Sequence, residues 1–272
     1  MQGKRSWFLT STLAFGFAFL YVPILLLIVY SFNESRLVTV WSGLSTKWYA
    51  ALLEDDKILG AAWVSLKVAF MNANIAVVLG TLVAFALIRF GQFRGRTLLS
   101  AMSTAPLVMP EVITGFSLLL LFVTLQQTFD WWPANGVTTI TIAHATFSTA
   151  YVAVVIQSRL MSFERDVEEA ALDLGARPWK VFLTITLPII APALLAGWLL
   201  SFTLSLDDLV IAQFVTGPSA STLPMVVFSS VRLGVSPKIN ALATLLVLAA
   251  TFAIIIAAWA SSRQARQDAR LK

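Results

Sequence analysis

Residues 169–175 of this chain read EAALDLG and residues 185–188 read ITLP, with nine residues between the two segments. The first segment belongs to a charged stretch, residues 162–180, which separates two long apolar runs. A charged side chain at the centre of a bilayer costs about 3 kcal/mol on insertion scales. We therefore expect the stretch to lie outside the hydrocarbon, at a membrane face where another protein can contact it.

The composition is that of a membrane protein. Of the 272 residues, 58% are hydrophobic and 12% are charged, whereas soluble domains carry about 25% charged residues. The chain has no cysteine, which excludes disulfides and thiolate chemistry. Its basic residues lie in short loops, which argues against nucleic acid as a partner. His144 lies in an apolar run, so we expect a packed helix histidine rather than a metal ligand, because a metal needs further ligands nearby.

Six apolar runs are long enough to cross a bilayer, which takes about 20 helical residues. They cover residues 8–32, 61–90, 98–125, 137–160, 187–215 and 239–261. We therefore expect an all-α membrane protein with six transmembrane helices, forming a single domain over residues 1–272.

The basic residues predict the orientation. One side of the predicted bundle carries Lys4, Arg5, Arg89, Arg94, Arg96, Arg159, Arg165, Arg177, Lys180, Arg263, Arg266, Arg270 and Lys272, and the other carries Arg36, Lys47, Lys57, Arg232 and Lys238. The side richer in Lys and Arg is usually cytoplasmic. Because the number of spans is even, both termini are then expected in the cytoplasm.

Within the charged stretch, the residues predict a helix, a turn and a second helix. Ser162 suits an N-cap, with Glu164 and Asp166 in the first turn. Gly175 suits the left-handed position that ends a helix, and Pro178 suits the first turn of the next. Judged on its residues alone, this hairpin is also compatible with an ordinary surface loop.

The order EAA, three positions, G, nine positions, then I-x-L-P resembles the signature loop of bacterial binding-protein-dependent ABC importer permeases. The resemblance implies a type I ABC importer permease fold in a bacterial inner membrane, with the loop forming a cytoplasmic coupling helix that docks on a separate ATPase. The residues it assigns to coupling are Glu168, Glu169, Ala170, Ala171, Asp173 and Gly175.

The sequence contains no GxxxxGK[ST] phosphate-binding loop. We therefore expect no enzyme activity and no cofactor in this chain. ATP and Mg would be bound by the ATPase subunits.

Three carboxylates fall inside predicted spans. Glu111 follows Pro106 and Pro110, which are expected to break the third span. Asp207 and Asp208 lie in the fifth span, where consecutive helical residues would point about 100° apart. Intramembrane carboxylates are costly and are often functional.

Two interpretations of these acids remain open. They could fix helix packing by pairing with Lys67, His144 or backbone amides. They could instead line a pathway for a positively charged solute, together with the neighbouring Ser205.

Several tracts resemble the permeases for putrescine and spermidine, most of all the shorter, second permease of putrescine importers. They are residues 105–115, 202–210, 214–218, 222–224, 231–237 and 240–244. The resemblance implies a complex with an ATPase dimer, a second, homologous permease and a periplasmic polyamine-binding protein. A polycation suits a carboxylate-lined path, whereas an oxyanion would be repelled.

Two other functions are weighed against this one. A cation-coupled secondary transporter or channel could use Glu111, Asp207 and Asp208 as an ion relay, but it does not account for the coupling loop. An ABC importer permease for another solute would share that loop.

Overall fold

The computed structural model describes residues 7–37, 40–218, 220–234 and 236–270, and in the last helix it describes side chains through Phe252 and at Ile255 and Trp259. Lys4, Arg5 and Lys272, used above for orientation, lie outside the described residues. The described residues form helices joined by turns, with one isolated β-bridge between Asn33 and Leu44.

The helices in chain order are α1 (Trp7–Ser31), α2 (Lys47–Leu53), α3 (Asp56–Arg89), α4 (Arg96–Val108), α5 (Glu111–Thr128), α6 (Val137–Met161), α7 (Asp166–Asp173), α8 (Pro178–Val181), a π turn (Phe182–Thr186), α9 (Leu187–Asp207), α10 (Val210–Val215), α11 (Leu223–Leu233) and α12 (Pro237–Arg270). The prediction of an all-α membrane protein is confirmed.

Within the part of the chain that the structure describes, five helical segments are long and apolar enough to cross a membrane. They are Trp7–Ser31, Asp56–Arg89, Glu111–Thr128, Val137–Met161 and Pro178–Asp207, the last joining α8, the π turn and α9. The sixth predicted span lies in α12, where the apolar part with described side chains is Pro237–Phe252. Most side chains of the remainder of that span lie outside the described set.

Two predicted spans are broken helices. The third divides into α4 and α5 at Met109 and Pro110, as predicted for Pro110, because a proline lacks the N–H donor and disfavours helix at the residue before it. The break expected at Pro106 is wrong, since Pro106 lies inside α4. The fifth was expected as one continuous helix over residues 187–215, which is wrong. It ends at Asp207, Asp208 is extended, and α10 starts at Val210.

One compact unit is formed by the described residues of the ranges 1–59 and 227–272. In it α12 packs against α1 and α2. Asn33 organises the loop before α2: its side-chain oxygen accepts hydrogen bonds from the amides of Ser35 and Ser42, and its backbone carbonyl accepts one from the indole of Trp48. The loop thus satisfies its buried polar groups internally.

The other compact unit contains residues 60–226, with α6 at its centre. Val152 of α6 lies between Gly80 of α3 and Gly197 of α9, where an added Cβ would approach its side chain to 2.8 and 3.2 Å. Asn72 of α3 donates hydrogen bonds to Ser148 of α6 and Ser201 of α9. Small residues and interhelical hydrogen bonds thus hold three helices in close contact.

Candidate functional site

The charged stretch forms a helical hairpin, residues 162–188, which we call the acidic hairpin. Its first helix, α7, begins at Asp166 with Arg165 in the capping position. The predicted N-cap role of Ser162 is wrong, because Ser162 ends α6 and its hydroxyl donates to the carbonyl of Arg159. Residues 162–165 therefore form the turn between α6 and α7.

The turn after α7 has the predicted geometry. Gly175 has a φ of +85°, and the amide of Ala176 donates to the carbonyl of Ala171 at 3.1 Å. This bond spans five residues, as in the Schellman ending of a helix. Pro178 is the first residue of α8, as expected.

The predicted coupling residues divide into two groups by exposure. Glu169, Ala170, Asp173 and Gly175 are exposed and Ala171 is half-buried. Glu168 is 8% exposed and its carboxylate is turned toward the protein interior. The docking surface that we expect on the acidic hairpin therefore consists of the other five residues, and its role stays a prediction.

Exposed apolar side chains accompany these residues. Val167, Leu174 and Trp179 are 51%, 89% and 62% exposed. Contiguous exposed apolar surface marks protein contacts, whereas single exposed apolar residues are ordinary. The sequence analysis did not select them, although apolar residues within a charged stretch are a signal that could have found them.

The break in the fifth span is stabilised by Asp208. Its carboxylate accepts hydrogen bonds from the backbone amides of Ile211 at 3.4 Å and Ala212 at 2.8 Å. These amides belong to the first turn of α10 and have no acceptor within that helix. The carboxylate thus favours a new helix start where the apolar pattern alone predicts continuity.

His144 of α6 is fully buried beside this break. Its Nδ1 lies 2.7 Å from the hydroxyl of Ser205, and its Nε2 lies 3.1 Å from Oδ2 of Asp208. The second contact brings the ring nitrogen close to the carboxylate without the alignment of a hydrogen bond. The expectation of a packed, hydrogen-bonded histidine is confirmed, and Asp208 pairs with it as the packing interpretation proposed.

A cavity of about 470 Å³ lies where the two broken spans meet. The carboxylate-bearing residues Glu111, the first of α5, and Asp207, the last of α9, both line it, and so does Asp208. The structure thus brings together three of the four predicted pathway residues. Ser205 is buried and contacts His144 instead.

Two aromatic residues of α6, Phe147 and Tyr151, line the same cavity. Their ring centroids lie 6.5 Å apart in an edge-to-face arrangement. The sequence analysis missed them. Their positions three and seven residues after His144 place them on one helix face with it, which is the signal that could have found them.

The fold and these two sites define a class: a multi-pass helical membrane protein with a carboxylate-lined cavity and an exposed acidic hairpin. The chain belongs to the family described as the binding-protein-dependent transport system inner membrane component, whose model matches residues 76–267.

Relatives and solved structures agree with this family. The chain is 58% identical over 258 residues to the putrescine transport system permease protein PotI of Escherichia coli K12, covering 95% of this chain and 92% of the relative. It is 43% identical to the spermidine/putrescine transport system permease protein PotC of the same strain, covering 88% of each chain. A crystal structure of a bacterial ABC transporter for alginate import shares the fold, with a TM-score of 0.71, 15% identity and coverage of 96% and 98%.

Membership of this family distinguishes an importer permease from a secondary transporter or channel. Its members are inner-membrane components of binding-protein-dependent systems, so the interpretation as a secondary transporter or channel is set aside. The close relatives are permease subunits rather than enzymes.

Proposed function

We propose that this chain is a permease subunit of an ATP-driven importer that carries putrescine, and the related polyamine spermidine, into the bacterial cytoplasm. The observation that carries the proposal is the cavity in which Glu111 and Asp207 share a lining with Phe147 and Tyr151. The relatives named for putrescine and spermidine transport support the same substrate class.

The cavity suits an organic dication. Alkyl ammonium groups, with a pKa near 10, stay protonated at neutral pH, and a unit charge 4 Å from a carboxylate gains about 4 kcal/mol at an effective dielectric constant of 20. The faces of Phe147 and Tyr151 can add cation–π attraction of about 0.5–2 kcal/mol. Carboxylates and rings thus offer favourable contacts to both the charged ends and the methylene chain.

The acidic hairpin supports the proposal that the energy for transport comes from a separate ATPase subunit. The sequence has no phosphate-binding loop of its own, so ATP and Mg would be bound by a partner ATPase dimer. Exposed acidic and small residues at Glu169, Ala170 and Gly175, flanked by Leu174 and Trp179, offer that partner both charge and apolar area. ATP binding would close the ATPase dimer and displace the hairpin.

The rest of the complex follows from the same proposal. A second, homologous permease would complete the pathway, and a periplasmic polyamine-binding protein would deliver the substrate. The distribution of Lys and Arg supports an orientation with the acidic hairpin and both termini in the cytoplasm.

The test is uptake by the complete importer, purified through a tag on this chain and reconstituted in liposomes. We expect ATP-dependent uptake of radiolabelled putrescine that unlabelled putrescine and spermidine inhibit, while sulfate does not. Uptake that sulfate inhibits and polyamines do not would overturn the substrate class. Uptake that continues in preparations lacking the ATPase subunit would overturn the importer.

A further inference from the structure

Beneath the acidic hairpin lies a buried ion pair. Oε2 of Glu168, in the first turn of α7, lies 3.1 Å from Nε of Arg89, the last residue of α3. Their side chains are only 11% and 8% exposed. The guanidinium also lies over the ring of Phe163, 5.7 Å from its centroid. The hairpin is thus fastened to the end of a long transmembrane helix.

A second contact joins the two arms of the hairpin, at the point where its second arm continues into α9. The hydroxyl of Thr186 donates a hydrogen bond of 2.5 Å to Oε1 of Glu168, and both side chains are buried. Thr186 is the last residue of the π turn and directly precedes α9. One carboxylate therefore holds the ends of α3 and α9 at the same time.

The π turn explains why Thr186 reaches this carboxylate. A π turn accommodates one more residue than an α-helical turn, and such segments are rare and frequently lie at functional sites. Without the extra residue, the side chains beyond it would be rotated by about 100° around the axis. The unusual backbone thus aims the hydroxyl of Thr186 at Glu168.

The helix that begins at this contact ends at the cavity. α9 runs from Leu187 to Asp207, with Pro192 inside it, a length of about 30 Å. One helix thus joins the contact with Glu168 to the cavity-lining carboxylate of Asp207.

The ion pair is also incompletely bonded. Nε and Nη2 of Arg89 are both buried and make no hydrogen bond among the described residues, so the contact of Nε with Glu168 is an ion pair without hydrogen-bond alignment. Buried polar groups without partners are unusual. The guanidinium thus retains unused donors beside the carboxylate of Glu168.

We infer that Glu168, Arg89 and Thr186 form a clasp that transmits movement of the acidic hairpin to α3 and α9. Glu168 is in this view a positioning residue, which holds the helices while its exposed neighbours contact the partner. The inference rests on the proposed function, because it assigns the clasp the task of coupling ATP hydrolysis to transport.

The experiment measures coupling in the complete importer carrying Glu168→Gln or Thr186→Val. ATP hydrolysis and putrescine uptake are recorded with polyamine-loaded binding protein. We expect the ATPase subunit to copurify normally, and ATP hydrolysed per putrescine transported to rise at least ~5-fold, the lower end of typical coupling between sites. The double variant Glu168→Arg with Arg89→Glu should restore part of the coupling that either reversal alone removes.

The control is Glu164→Gln, an exposed acid of the same hairpin, which should keep the wild-type ratio. Assembled Glu168→Gln and Thr186→Val importers with that ratio would overturn the clasp. If Glu168→Gln fails to assemble, Thr186→Val decides, because it keeps the ion pair: a raised ratio supports the clasp and an unchanged ratio refutes it. Failure of the wild-type importer to take up putrescine would refute the proposed function instead.

Discussion

The acidic hairpin and the break in the fifth span each carry two consecutive carboxylates, Glu168 with Glu169 and Asp207 with Asp208. In each pair one member is buried, with 8% exposure for both Glu168 and Asp208, while its neighbour is exposed. Residues of one type and adjacent in sequence therefore occupy opposite environments in both regions.

The buried members differ in what holds them. Glu168 contacts two side chains, Arg89 at the end of α3 and Thr186 at the start of α9. Asp208 contacts His144 and the backbone amides that begin α10. The first arrangement ties separate helices together, whereas the second fixes a break within one span. We expect the exposed members to serve the partner in one region and the substrate in the other.

The largest effect is expected at the exposed member of the hairpin pair. Glu169→Lys reverses a charge on the proposed docking surface, where like charges in contact cost several kcal/mol. Putrescine uptake should fall by more than ~10-fold, which corresponds to about 1.4 kcal/mol, while the chain still reaches the membrane. Membrane fractionation and radiolabelled uptake measure both quantities.

Glu164→Lys is the matched control, since Glu164 is also exposed but precedes α7. Its uptake should stay near that of wild type. Normal uptake by Glu169→Lys would show that the exposed carboxylate does not contact the ATPase.

The next effect separates the two aspartates by stability. Asp208→Asn replaces a charge that binds His144 and two amides, and leaving buried groups poorly paired costs about 1–3 kcal/mol. Asp207→Asn changes an exposed side chain and should leave the melting temperature near that of wild type. Thermal unfolding of the detergent-solubilised protein measures the difference. Equal melting temperatures for the two variants would mean that Asp208 does not stabilise the break.

A smaller effect is expected at Gly175, in the turn that follows α7, the helix that carries the exposed Glu169. Gly175 has open space around it but a φ of +85°, so Gly175→Ala should cost about 1–2 kcal/mol of backbone strain. We expect a lower yield of copurified ATPase. Gly60→Ala is the control, because Gly60 lies within α3 with nothing near its Cβ position. If both variants copurify the ATPase equally, the left-handed turn is not needed for docking.

The smallest effect concerns a third acid, intermediate between buried and exposed. Asp55 lies 2.8 Å from the amine of Lys238, with side chains 23% and 28% exposed. The hydrogen bond from Lys238 lowers the pKa of Asp55 below its usual value of 3.8, against partial burial, which raises it. The salt bridge therefore stabilises the protein at pH values above 3.8, by less than about 1 kcal/mol. This stabilisation is lost as the pH falls through the lowered pKa of Asp55.

Replacing Asp55 by Asn should thus lower the melting temperature slightly at pH 7 and not at all well below pH 4. Melting curves of both proteins across this range provide the measurement. A difference that grows as the pH falls would contradict the assignment of the bridge.

The sequence predicts those features that depend on local chemistry. Hydropathy locates α1, α3 and α6 to within a few residues. Pro110 predicts the break of the third span, and Gly175 predicts the end of α7, because both act on their own backbone.

The features that the sequence analysis missed depend on contacts between distant residues. The break after Asp207 contains no proline or glycine, and Asp208 contacts a histidine that lies far earlier in the chain. Likewise, helical periodicity in α7 cannot reveal that Glu168 is buried, because its partner Arg89 belongs to α3. Which acid of each pair is buried is therefore decided by contacts with residues that are distant in the sequence.

The most direct test of the division within each pair is putrescine uptake per assembled importer, measured side by side for Asp207→Asn and Asp208→Asn. We expect about tenfold lower uptake per complex for Asp207→Asn, corresponding to about 1.4 kcal/mol. Asp208→Asn should lower the amount of assembled importer while the remaining complexes transport near the wild-type rate. Wild-type uptake by Asp207→Asn, with a loss confined to assembled Asp208→Asn complexes, would contradict the account.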